Sequence, residues 1–197
     1  MKIWIILILL ALLAAPNAFA GETEVRNHND RTLRDSDDKG ETDIREIITV
    51  VLSHHHEIPT REDLESRTDD AREIVFEIAR DEEAFLFHRH RALRALTHWP
   101  DAEVYDYLHG LLVDEDTEDG MRHHLLPILA NGFGERALDD LEPFLTEAAD
   151  PQIRISAAGA ISRVPGERAV EMLLSALKSE THPLVQTRLE TYASRLR

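Results

Sequence analysis

The chain repeats itself. Gly134-Glu135-Arg136-Ala137 recurs 32 residues later as Gly166-Glu167-Arg168-Ala169. In that register Arg122 falls over Arg154, Leu129 over Ile161, Leu141 over Leu173, Leu145 over Leu177, and Asp150-Pro151 over His182-Pro183. An earlier copy fits at an offset of 33, with Arg89 over Arg122, Leu96 over Leu129, Leu108 over Leu141 and Leu112 over Leu145. Each copy carries apolar residues at steps of three and four: Ala92, Ala95, Leu96, Val104, Tyr105, Leu108, Leu111 and Leu112 in the first. The second has Leu125, Ile128, Leu129, Ala137, Leu138, Leu141, Phe144 and Leu145, and the third Ala157, Ala160, Ile161, Ala169, Val170, Leu173, Ala176 and Leu177. That period makes each copy two amphipathic helices with one apolar stripe apiece. Trp99-Pro100-Asp101, Gly132-Phe133-Gly134 and Val164-Pro165-Gly166 stand where one helix must stop and the next restart.

A helix pair of this length cannot bury its own stripe, but stacked pairs can, which predicts an all-α solenoid. The units run over 85–117, 118–149 and 150–181, with 182–197 a half-repeat cap whose Leu189, Tyr192 and Ala193 are in core register. The segment Asp150-Pro151-Gln152-Ile153-Arg154-Ile155-Ser156-Ala157-Ala158 resembles the first-helix signature of HEAT repeats, in particular the short HEAT-like form of the phycobilisome lyases. The resemblance covers about residues 85–197 and implies a right-handed, armadillo-type superhelix of helical hairpins. The other copies depart from the signature. Glu118-Asp119 lacks the following Pro, Phe85 stands at the first acid, and Gln186 replaces the Arg, so a regular Asp–Arg ladder is not implied.

Residues 44–84 read as a helical N-terminal cap or degenerate repeat. Ile44 to Leu52 is one helix, Thr60-x-x-Asp63 caps a short turn, and Asp70 to Ala79 is a second helix with Ile74, Val75 and Ile78 inward. Before them, Met1-Lys2, the unbroken apolar run Ile3–Ala15, Pro16 and the small-x-small Ala18-Phe19-Ala20 form a secretory signal peptide over 1–20, cut after Ala20. The run is shorter than the ~20 residues a bilayer span needs. Residues 21–43 hold eight acids, four bases and two aliphatic residues, which predicts a disordered acidic tether. The protein is thus expected in the periplasm or the medium, with no membrane attachment after cleavage.

Composition narrows the function. Lys+Arg is 22 against Asp+Glu 38, a net charge of −16, which argues against nucleic acid as a partner. Cysteine is absent, which removes disulfides, thiolate catalysis and Cys-ligated zinc. His56-Glu57 opens a zincin-like pattern, but Thr60 holds the place of the second His and Pro59 breaks the helix. The loops at Asp35 and Asp114 each miss two calcium-loop positions: in the first Lys39 occupies a ligand place and Thr42 that of a core aliphatic, and in the second Asp119 and Leu125 occupy those of the glycine and the final acid. His54-His55-His56 reads as a polar helix end. His90 and His123 share a repeat column and are expected as exposed neighbours, and His88 as a satisfied core histidine. No catalytic, cofactor or metal residue is assigned.

Charge distribution points to a surface. Asp81 to Asp150 holds 17 acids and 5 bases, while Pro151 to Arg197 holds 4 and 7. In HEAT-like stacks the second helices line the concave side. Opposite their stripes lie Glu103, Asp106 and Gly110, then Arg136, Asp139 and Pro143, then Arg168, Glu171 and Ser175. Asp106, Asp139 and Glu171 form an acidic row, and Glu103, Asp140 and Glu142 extend the candidate protein-binding set. The bland alternative pairs Arg136 with Asp139 and Arg168 with Glu171 inside their own helices. The expected function is a non-enzymatic exported scaffold binding a protein that is basic where it touches. A calcium- or zinc-binding module is the first alternative; a lyase-type enzyme, by fold analogy alone, is the second.

Overall fold

A computed structural model describes residues 44–53 and 57–195, all within the compact unit Lys39–Arg197. The expected signal peptide with its cut after Ala20, the expected acidic tether, the Asp35 loop up to residue 43 and His54-His55-His56 lie outside the described residues.

The fold is all-helical, with no strand among the described residues. Helix α1 covers residues 44–53. It is followed by α2 (Arg61–Glu65), α3 (Ala71–Arg80), α4 (Leu86–Ala95) with a 3-10 turn at Leu96–His98, and α5 (Ala102–Val113). Then come α6 (Asp119–Phe133) with a 3-10 turn at Gly134–Ala137, α7 (Leu138–Thr146), α8 (Pro151–Ile161), α9 (Glu167–Ser179) and α10 (Pro183–Arg195).

Local chemistry sets these ends. Thr60 and Asp63 form a reciprocal capping box at α2. Asp101 accepts from the Val104 amide at α5, and Asp150 from the Gln152 amide at α8, with Pro151 in the first turn. Gly134 and Gly166 adopt φ of 57° and 121°, conformations that only glycine enters without a steric cost, and there the chain turns from first to second helix.

The repeat stripes are the core. Leu96, Leu108, Leu129, Leu141, Ile161 and Leu173 are fully buried. Each second helix packs extensively on the first helix that follows it: α5 on α6, α7 on α8, α9 on α10, with α3 on α4 ahead of them. The first helices also touch one another, α4 with α6, α6 with α8 and α8 with α10. First helices are therefore covered on two sides, and a second column, Leu93, Leu126 and Ala158, is fully buried beside the predicted stripe.

The shared arginine column has a structural job. Helix C-termini leave carbonyls without intrahelical donors and carry partial negative charge. Arg89 Nε donates to the Ala79 carbonyl of α3 (3.0 Å). Arg122 donates to the Leu112 (3.4 Å) and Asp114 (2.6 Å) carbonyls at the end of α5. Arg154 donates to Ala148 (2.7 Å) and Ala149 (3.2 Å) just past α7 and also pairs with Glu180 (2.8 Å). Gln186, in the same column, donates to the Glu180 carbonyl beyond α9 (2.6 Å). Each unit thus clamps the end of the one before it. Arg91 does the same for the N-terminal cap: buried, it donates to the Leu52 and Glu57 carbonyls.

Candidate functional site

The outer face of the second helices is exposed as expected: Glu103, Asp106 and Gly110 on α5, Arg136 ahead of α7, Asp139 and Pro143 on α7, and Arg168, Glu171 and Ser175 on α9. Its ion pairs are not those expected. Neither Arg136–Asp139 nor Arg168–Glu171 forms within a helix. Arg168 instead reaches Asp139 on α7, and the Arg136 guanidinium lies 3.9 Å from the Tyr105 ring centroid on α5. A long arginine side chain at the start of one second helix spans the gap to the preceding one, so the pairing crosses units.

The six candidate acids fall into two groups. Glu103 pairs with Arg72 (2.7 Å) and Arg80 (3.4 Å), and the Arg72 bond holds its carboxyl below the usual range. Asp139 takes Arg168. Asp140 accepts from the Tyr105 hydroxyl and lies 3.5 Å from His109 Nε2. Burial, and then Asp140, push the Tyr105 phenol up to about 12. Asp106, Glu142 and Glu171 are exposed and make no ion pair with a described residue.

A second feature escaped sequence reasoning. A cavity of about 420 Å³ opens between α4, the end of α5 and the first turn of α6. Leu86, Leu111 and Met121 supply apolar wall, and Glu82, Asp114, Asp116 and Glu118 supply carboxylates. His90 and His124 also line it, with ring centroids 3.9 Å apart.

That contact corrects the histidine reading. His90 meets His124, not His123, and it is half-buried rather than exposed. His123 turns to the next unit and bonds Ser156 on α8. Because α6 is covered on two sides, adjacent residues face opposite neighbours. Burial, with His124 and Arg89 adding repulsion, lowers His90 to about 4. Burial first, then His123 and Arg94, lower His124 as well. The His90 Nε2 is buried with no hydrogen-bond partner. His88 is not a core residue with a satisfied ring: it is half-buried, edge-on to the exposed Phe85 and Phe87.

Among the described residues no group of three or more His, Asp or Glu is placed to hold a metal ion, and no helix is long and apolar enough to cross a membrane. Compared with protein-family models and with curated proteins, the chain matches none.

Proposed function

We propose that this chain is an exported HEAT-like α-solenoid, a right-handed stack of helical hairpins, that binds a protein basic at its contact surface and performs no chemistry. The stack is supported by one device used four times: Arg89, Arg122, Arg154 and Gln186 each tie a first helix to the end of the preceding second helix. Such unit-to-unit bonding extends a fold along one axis and leaves long faces open to partners.

The observation that carries the binding role is the set of uncompensated acids on successive second helices. Asp106, Glu142 and Glu171 stand exposed without a counter-cation, while the neighbouring arginines are engaged elsewhere on that face. A surface of one sign selects partners of the other and speeds their encounter. Export rests on the 1–20 signal pattern, and N-terminal sequencing of the mature protein should read Gly21 first.

The test is retention of proteins from the cell envelope on immobilised residues 21–197, eluted with salt. The variant Asp106→Asn, Glu142→Gln, Glu171→Gln should release bound proteins at lower salt while unfolding like the unaltered chain. An identical elution profile would remove the second-helix face as the contact surface.

A further inference from the structure

The cavity walled by α4, the end of α5 and the start of α6 has properties that the second-helix face lacks. It is concave, and its volume of about 420 Å³ falls within the range that holds small ligands or an inserted side chain. None of Glu82, Asp114, Asp116 or Glu118 makes an ion pair with a described residue, and the single arginine on the wall, Arg89, donates its Nε to the Ala79 carbonyl. The buried His90 Nε2 has no partner. At the opening Leu86 is 56% exposed, and its chain neighbours Phe85 and Phe87 are 69% and 45% exposed, Phe87 with the Arg91 guanidinium 5.5 Å from its ring centroid.

Each observation limits the occupant. Four carboxylates repel an anion even though the α6 N-terminus lies nearby. The absence of a three-ligand group among the described residues leaves no anchor for a metal ion. A cationic side chain meets the carboxylates with complementary charge. An isolated small cation would leave the phenylalanines uncovered; a peptide with an apolar residue next to its cation covers them.

We propose that this cavity receives a basic segment of the protein partner, which inserts an arginine or lysine side chain among Glu82, Asp114, Asp116 and Glu118 and lays a neighbouring apolar side chain over Phe85, Leu86 and Phe87. The proposal rests on the reading that the partner is basic, and it adds this cavity to the second-helix face as a second, more specific contact.

The experiment is fluorescence anisotropy on residues 21–197 with three labelled decapeptides, one alternating arginine and leucine, one arginine and glycine, one glutamate and leucine. The arginine–leucine peptide should bind at least about tenfold more tightly than either other. Asp116→Asn with Glu118→Gln, and separately Leu86→Ser, should each weaken it about tenfold with unchanged thermal unfolding, since all three side chains are exposed. Equal binding of the arginine–glycine or glutamate–leucine peptide overturns the proposal. So does a loss of affinity in the variant Asp106→Asn, Glu142→Gln, Glu171→Gln with none in the cavity variants, a result that keeps the basic-partner reading. No affinity for either arginine peptide overturns both.

Discussion

First and second helices of the same repeat bury themselves differently. On α4, α6 and α8 two adjacent columns are buried, because each of these helices packs both on the helix before it and on at least one neighbouring first helix. On α5, α7 and α9 a single stripe is buried and the opposite face is polar and open. Both sets carry the core, and the second helices alone also present an open polar face. The sharpest break of that contrast is in the column beside the stripe. Leu126→Ala on α6 should cost about 2–5 kcal/mol, as much as Leu141→Ala within the α7 stripe. Equilibrium denaturation giving less than about 0.5 kcal/mol for Leu126→Ala would return α6 to a one-sided helix.

The next effect concerns the clamps. Arg154 is largely buried, bonds two carbonyls past the end of α7 and pairs with Glu180. Arg154→Ala leaves those acceptors without their donor, and hydrogen bonds to charged groups contribute about 1.5–3 kcal/mol. Arg154→Gln should recover part of the loss, because Gln186 already does the same work with a side-chain amide. If both variants unfold alike, the amide is no substitute and the four positions are not equivalent.

How much of this was legible in the sequence follows from the same contrast. Periodicity reports which residues avoid water on one side, so the stripes through Leu108, Leu141 and Leu173, the breaks at Gly134 and Gly166 and the terminal helix α10 were all readable. The Leu93, Leu126 and Ala158 column was present in the alignment, but a one-stripe rule has no place for a second buried row. The arginine column was visible as a repeat. Its role was not, because backbone carbonyls leave no mark in a pattern of side chains. Glu103, Asp106, Asp139, Glu142 and Glu171 are exposed as read, while Asp140 is half-buried, and the partners that Glu103, Asp139 and Asp140 do find lie on other helices, where i,i+3 reasoning does not look. His124 was missed for His123 by one residue, the difference between the side of α6 that faces α4 and the side that faces α8. The cavity depends on how the 114–118 loop is laid against α4, which no local signal encodes.

Acidification should separate first-helix contacts from the rest. His90 has a folded-state value of about 4 against an ordinary 6.5. Between those values the unfolded chain binds more protons, so stability is complete above about pH 6.5 and declines as the pH falls toward 4. His124, also lowered by burial, acts in the same direction. Glu180, lowered chiefly by Arg154, contributes stability that is present above its ordinary 4.5 and is lost as the pH falls through its lowered folded value. Urea midpoints measured from pH 7 down to about 4 should therefore fall early in the unaltered chain, and later when His90→Gln and His124→Gln are combined. Coincident curves would mean that the ring pair does not couple protonation to folding.

The smallest effect belongs to the second-helix face, and its smallness is what the comparison requires. Arg168 and Arg154 lie fourteen residues apart in one unit, and each bonds a carboxylate outside its own helix, Asp139 on α7 and Glu180 just past α9. Arg154 and Glu180 are largely buried, whereas the Arg168–Asp139 pair is open to water. Solvent and salt screen an exposed pair, and ordering two mobile side chains offsets most of the attraction. Arg168→Ala should therefore shift stability by less than about 1 kcal/mol, well under Arg154→Ala. Its consequence should appear in binding: freeing the Asp139 carboxylate adds a fourth uncompensated acid to Asp106, Glu142 and Glu171, so a basic partner should bind more tightly and respond more steeply to salt. A loss of stability equal to that of Arg154→Ala would make the exposed Arg168–Asp139 pair a structural clamp of the same kind as Arg154–Glu180. Weaker binding on removal of Arg168 would show that the partner contacts the arginine itself, and the acidic face would then have to be read as a mixed one.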